Sequence, residues 1–185
     1  MADEIQATGT EQSTGEETPF SSPGPQPETM YGVPVTYSRG QRVLHPSRDQ
    51  LVEVVRLLHG DGYLLCLDVT AVDYLVYEAD RQLPEGIEAE RFEVVVTLLS
   101  FKAAERIRLR VQIPEDDPLC PTLTVVHPGA DAFEREVFDM FGIEFVGHPD
   151  LTRILMPEDW SGHPLRKDYN SGRIPVQFKA APSNR

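Results

Sequence analysis

Cysteine is almost absent: Cys66 and Cys120 are the only thiols in 185 residues. Two thiols so far apart cannot supply the four ligands of an iron–sulfur cluster or a structural zinc site, and unpaired they suit a reducing compartment. Long apolar runs are also missing, and none approaches the ~20 residues that span a bilayer. The N-terminus lacks the basic-then-apolar order of a secretory signal, which predicts a cytoplasmic chain. There is no Gly-rich phosphate loop, no nucleophile elbow and no paired-cysteine motif. Lys and Arg are missing altogether from residues 1–30, which instead carry Asp3, Glu4, Glu11, Glu16, Glu17 and Glu28 among Ser, Thr, Gly, Pro and Gln. That composition cannot bury enough apolar surface to offset chain entropy and predicts a disordered acidic tail over 1–30.

The remaining residues suffice for one core without a metal or disulfide staple. The net charge of −13 is concentrated before residue 150, and an acidic body repels nucleic acid and anionic lipid. Net positive charge is found only in the C-terminal segment, where Arg153, Arg166, Lys167, Arg173, Lys179 and Arg185 lie among prolines and aromatics. A basic strip with aromatics suits a protein surface rather than a lipid one.

Residues 31–141 read as the folded scaffold domain. Ser47 with Gln50 forms a capping box, Leu51, Val54, Val55 and Leu58 follow at helical spacing, and Gly60 and Gly62 stop the helix. Tyr63 to Val69 reads as a buried strand and residues 80–90 as a loop. Phe92–Phe101 is a β-branched run for the centre of a sheet. Arg106–Ile113 alternates, with Ile107, Leu109, Val111 and Ile113 inward and Arg106, Arg108 and Arg110 outward, so the two form an antiparallel hairpin. After a Pro-rich break at 114–121, Asp131 and Glu134 are expected to cap a second helix with Phe133, Val137, Met140 and Phe141 on one stripe and Gly142 at its end. The predicted class is α+β, a mainly antiparallel sheet covered by helices.

Residues 142–169 keep no regular period, yet hold Phe145, Leu151, Ile154, Leu155, Met156, Trp160, Leu165 and Tyr169. Such a stretch points to function or partner binding. Fully extended it reaches at most ~95 Å, and Pro149, Pro157 and Pro164 stiffen it, lowering the cost of ordering. Residues 170–185 read as a flexible tail. His148 and His163, with Asp150, Glu158 and Asp159, invite a metal-dependent hydrolase reading, but their spacing matches no mechanistic metal motif. Glu134, Arg135 and Glu136 point in different directions on a helix, which favours ion pairs to separate neighbours over a general acid.

The run Glu134-Arg-Glu-Val-Phe-Asp-Met-Phe-Gly-Ile143, then Gly147-His-Pro149, Arg153-Ile-Leu155, Pro157-Glu-Asp-Trp160 and Gly162-His-Pro-Leu-Arg-Lys-Asp-Tyr169, resembles the 30 kDa subunit family of respiratory complex I. In bacteria this is the C subunit of the proton-pumping NADH-quinone oxidoreductase. The resemblance implies a peripheral-arm protein on the cytoplasmic face of the membrane, without catalytic residues and without flavin, cluster or quinone of its own. FMN, iron–sulfur clusters and quinone would belong to partner subunits. The implied partners are the larger subunit shaping the quinone cavity and the subunit holding the terminal cluster. In some relatives this subunit is fused to the larger one; the chain ends at Arg185, so no fusion is expected. On this reading 142–169 is a docking segment, with Trp160 and Tyr169 as aromatic anchors and Arg153, Arg166 and Lys167 pairing to acceptors. Glu134, Arg135, Glu136, Asp139 and His163 complete the candidate docking residues. The equivalent subunit of a membrane-bound hydrogenase or another quinone reductase is the rival within the same architecture.

Overall fold

The computed structural model describes residues 28–170. Its frame is a six-stranded sheet built from β1 (Thr29–Met30), β2 (Val33–Ser38), β3 (Gln41–Leu44), β4 (Leu65–Asp73), β5 (Phe92–Ser100) and β6 (Glu105–Ile113), in the order β1-β2-β3-β6-β5-β4. Neighbours are antiparallel except β3 and β6, which run parallel with Val43 opposite Arg108. Ile107, Leu109, Val111 and Ile113 of β6 and Phe92, Val94, Val96 and Leu98 of β5 are fully buried on one face. Strand alternation turns Arg106, Arg108 and Arg110 to the other.

Helix α1 (Arg48–Gly60) starts as its sequence requires. Ser47 accepts the Gln50 N–H, Gln50 answers the Ser47 N–H, and Leu51, Val54, Val55 and Leu58 enter the core. Helix α2 (Asp131–Phe141) adds Val137, Met140 and Phe141 to the same core. A small parallel pair, β7 (Leu119–Pro121) with β8 (Glu144–Val146), brackets α2 in the chain and buries Cys120 and Phe145. The class is α+β, as the patterning indicated: a mixed, mostly antiparallel sheet with two helices.

Three expectations need correction. Thr29 and Met30, assigned to the acidic tail, form β1, because β2 offers them an open edge and Glu28 is already held there by a Val35 N–H to Glu28 O bond of 2.9 Å. The strand expected at Tyr63–Val69 runs instead over Leu65–Asp73 and is an outer strand, with a register shift between Cys66 and Asp68. Leu64 and Leu65 therefore face water. Asp131 and Glu134 do not cap α2. A 3₁₀ turn at Pro128–Ala130 runs straight into the helix with Ala130 already helical, leaving no extended residue to act as cap. Asp131 becomes the first helical residue, and Glu134 turns inward.

Candidate docking surface

A helix leaves its last carbonyls unsatisfied, and α2 meets that need with distant residues of its own chain. Gly142, with φ of +70°, ends the helix in the left-handed conformation, and the chain then returns across the helix end. The Asp139 carbonyl accepts from His163 Nδ1 at 3.0 Å, Met140 O from the Leu165 N–H at 3.0 Å, and Phe141 O from Arg166 Nε at 2.5 Å. Because a carbonyl can only accept, His163 donates from Nδ1. Burial pushes its pKa below the ordinary histidine value, with Arg166 and Arg153 nearby acting the same way, so the ring is neutral at pH 7. The Arg166 guanidinium also suits the negative end of the helix dipole.

Asp139 is the central fastener. Its side chain is fully buried, and Oδ2 accepts the N–H groups of Ile154, Leu155 and Met156 at 3.1, 2.8 and 2.8 Å. Oδ1 receives Arg153 at 2.6 Å, and Arg153 goes on to the Gly162 carbonyl at 3.1 Å. Burial alone would raise the Asp139 pKa. The three backbone donors and Arg153 together outweigh it and hold the carboxyl below its usual range. Arg135 adds bonds to Thr152 O at 3.1 Å and Thr152 Oγ1 at 2.9 Å.

A second fastener takes the far end. Asp73, at the end of β4, accepts the Lys167 N–H at 2.9 Å, the Leu75 N–H at 2.9 Å and Arg91 at 3.0 Å. Arg91 also pairs with Asp168 at 2.9 Å and with Glu115. Arg91 and Arg166 both lie over the Phe92 ring. Burial opposes ionisation of Asp73 too, but Arg91 and the two N–H donors prevail and its pKa is lowered.

The candidate residues are thus sorted by position. Asp139, Arg153, His163 and Arg166 converge on the C-terminal end of α2. Glu134 and Asp139 have no exposed side chain, so neither presents a carboxylate to a second protein, against the expectation of a docking role. Each is occupied by donors of its own chain, Glu134 by the Leu123 N–H and the Thr122 hydroxyl, both at 2.6 Å. Burial raises the Glu134 pKa despite those two bonds. Glu136 is exposed on the opposite side of the helix, and Lys167 contributes its backbone. Trp160 is half-buried with its indole N–H unpaired inside the protein, and Tyr169 is half-buried close against Gly162. What stays open is an apolar ridge on the strap: Ile154, Leu155 and Leu165 are 42%, 59% and 50% exposed.

The two histidines are not brought together. His148 touches Asp131 at the start of α2, and His163 touches Asp139 near its end, about 12 Å further along the helix rise. Among the described residues no group of three or more His, Cys, Asp or Glu is placed to hold a metal ion, and no helix is long and apolar enough to cross a membrane. Asp73 and Arg91 escaped the sequence reading because their partners lie far along the chain. The visible signal for Asp73 was an acid at the same alternating position as the inward Val69 and Ala71.

Fold and site define an α+β domain whose own C-terminal strap is fastened across one helix end, with aliphatic side chains turned outward. Comparison with known proteins makes that specific. Residues 44–174 match the family described as respiratory-chain NADH dehydrogenase, 30 Kd subunit, and the chain belongs to that family. The C subunit of NADH-quinone oxidoreductase from Salinispora arenicola (strain CNS-205) is 45% identical over 150 residues, 80% of this chain and 57% of that protein. The same subunit from Roseiflexus castenholzii (strain DSM 13941 / HLO8) is 47% identical over 143 residues, 76% of each. The chain thus spans between about half and three quarters of the length of these relatives. A solved trypsin-resistant fragment (1-134) of Nqo5 superposes with a TM-score of 0.57 at 35% identity, covering 65% of this chain and 90% of the fragment. A chain of the archaeal membrane-bound sulfane sulfur reductase shares the fold, with a TM-score of 0.62 at 22% identity over 83% of this chain and 90% of that one.

Proposed function

We propose that this protein is the C subunit of a proton-translocating NADH-quinone oxidoreductase and works there as a non-catalytic scaffold in the peripheral arm, at the cytoplasmic face of the membrane. Electrons pass from NADH through FMN and iron–sulfur clusters to quinone in its partners. This chain fixes the spacing between the subunit holding the terminal cluster and the larger subunit that forms the quinone cavity. The observation that carries this reading is the fastened strap. Asp139 and Asp73 pin residues 153–168 to the domain, so Ile154, Leu155 and Leu165 are held outward with their ordering cost already met. Aliphatic side chains presented on a rigid support are what a permanent protein contact uses. The names of the relatives supply the assembly.

The test is capture of the tagged full chain from solubilised membranes, wild type and Leu155→Asp/Leu165→Asp, with co-purifying subunits identified and NADH:quinone reductase activity measured per membrane. Recovery of the cluster-bearing and quinone-cavity subunits with wild type, and loss of both subunits and activity with the variant, supports the scaffold. Normal assembly of the variant with collapsed turnover would overturn it. The fold is also that of a sulfane sulfur reductase chain, so the electron donor that drives the purified assembly decides between an NADH-linked enzyme and a relative with another donor.

A further inference from the structure

The sheet face away from the helices carries positive charge that the domain leaves unanswered. Its centre is an open cleft of about 550 Å³, lined by Thr36 and Ser38 of β2, Arg108 and Arg110 of β6, and Arg81 from the 74–91 loop. Glu93 is buried at its floor and neutralises Arg110 through bonds of 2.7 and 2.9 Å. The other guanidiniums have no such answer. Among the described residues Arg39, Arg81, Arg106 and Arg108 form no ion pair: Arg108 reaches only Gln41 Oε1 at 3.4 Å, and Arg81 lies over the Tyr74 ring with its Nη1 buried and unpartnered. Ser38, Arg39, Gln41 and Arg108 continue the cleft along the β2–β3 side. Four unneutralised arginines on one face are conspicuous in a chain of net charge −13.

We infer that this arginine face is the docking site of the chain's own acidic N-terminal segment, residues 1–27. The segment holds Asp3, Glu4, Glu11, Glu16 and Glu17 and no Lys or Arg, so its charge complements the face. Its point of attachment is at the rim. Glu28 accepts the Tyr37 hydroxyl at 2.9 Å and its carbonyl accepts the Val35 N–H, and Tyr37 itself lines the cleft. Arg108 lies opposite Val43, which lies opposite Thr36, so it stands two strand spacings, about 10 Å, from β2. Glu16 is twelve residues before Glu28, a reach of up to ~40 Å, so every arginine of the face is within range. Docked in this way, the segment neutralises a basic surface that would otherwise collect foreign polyanions.

The full chain with Cys66→Ser and Ser13→Cys, carrying a nitroxide at residue 13, tests this by paramagnetic broadening of backbone amide signals. Expected is broadening confined to amides of residues 38–41, 81–82 and 106–110. It should fall about fivefold when the salt is raised from 0.02 to 0.5 M, where the Debye length shrinks to roughly 4 Å. Glu11→Gln/Glu16→Gln/Glu17→Gln should reduce it similarly at low salt, and these positions lie outside the described domain of residues 28–170. Broadening that is absent, spread evenly over the surface, centred on the strap, or indifferent to salt and to the Gln variant would overturn the inference. A partner's acidic segment would then be the occupant to seek.

Discussion

Replacing Asp139 by Asn keeps the shape of the side chain and removes its charge, which isolates what the central fastener contributes. In the native protein one carboxylate oxygen takes three backbone N–H groups and the other takes Arg153 at 2.6 Å. In Asp139→Asn only one side-chain oxygen remains. If it stays with Ile154, Leu155 and Met156, the amide NH₂ faces Arg153, donor against donor, and strands a guanidinium whose side chain is only 15% exposed. If the amide flips, three N–H groups lose their acceptor. Removing one partner of such a buried pair costs about 3–5 kcal/mol. The strap, unlike the core, opens locally, so that loss reads out as hydrogen exchange. A loss of about 3 kcal/mol lowers protection of the Ile154, Leu155 and Met156 amides by roughly 100-fold, while the α1 amides from Leu51 to Leu58 keep theirs. Exchange mass spectrometry across both segments is the assay. Protection of the strap amides within threefold of wild type would refute the claim that one carboxylate holds it, and equal loss in α1 would show global rather than local failure.

Acid should act on the same fastener. Asp139 and Asp73 have folded pKa values below the ordinary carboxylate range, so their stabilisation is complete above that range and is lost as pH falls through the lowered values. Strap exchange should therefore be insensitive to pH from 7 to 5, after correction for intrinsic rates, and rise only in stronger acid. Glu134 has the opposite sign. Its raised pKa stabilises the fold most below the ordinary value and progressively less as pH climbs. Glu134→Gln should thus unfold in urea within about 1 kcal/mol of wild type at pH 7, whereas Glu134→Ala, which leaves the Leu123 N–H unpaired, should lose about 1–3 kcal/mol. At Gly142 an added Cβ would lie 2.5 Å from His163 Nε2 and 2.9 Å from Arg166. Gly142→Ala should cost at least the ~1–2 kcal/mol of left-handed backbone and speed strap exchange, measured by calorimetry and exchange together. Trp160→Ala, truncating a half-buried aromatic, should cost about 2 kcal/mol or more of assembly, seen as less intact complex on native gels at unchanged chain level.

The elements legible in the sequence were those whose signals are local. The Ser47–Gln50 box, the Leu51 to Leu58 stripe and the alternation of Arg106–Ile113 each state their structure within a few residues, and all three formed as read. β1 and β2 escaped because Pro34 and the polar residues around Tyr37 hide a strand held by pairing with Gln41–Leu44, not by its own pattern. β7 and β8 are three residues each and exist only because α2 brings them side by side. At the site, the density of apolar residues set 142–169 apart from a solvated linker; Phe145 is in the core, and Leu151 and Met156 pack against it. The direction of its charges did not show. Asp139 looks solvent-facing on a helical wheel and is made interior by the return of the strap, whereas Glu134 is taken up by Thr122 and Leu123, upstream of the helix. The pairing of Asp73 with the Lys167 N–H, joined across most of the domain, has no sequence signature.

The capping of α2 from so far downstream has a consequence for biosynthesis. The carbonyls of Asp139, Met140 and Phe141 wait for His163, Leu165 and Arg166. While those later residues are still inside the ribosome exit tunnel, the helix terminus is frayed and its neighbours in the core are underpinned only from one side. The strap cannot close over the helix end, nor Asp139 gather its three N–H donors, until the residues concerned have emerged. Truncation anywhere before Arg166 therefore leaves the end of α2 uncapped, however complete the sheet is.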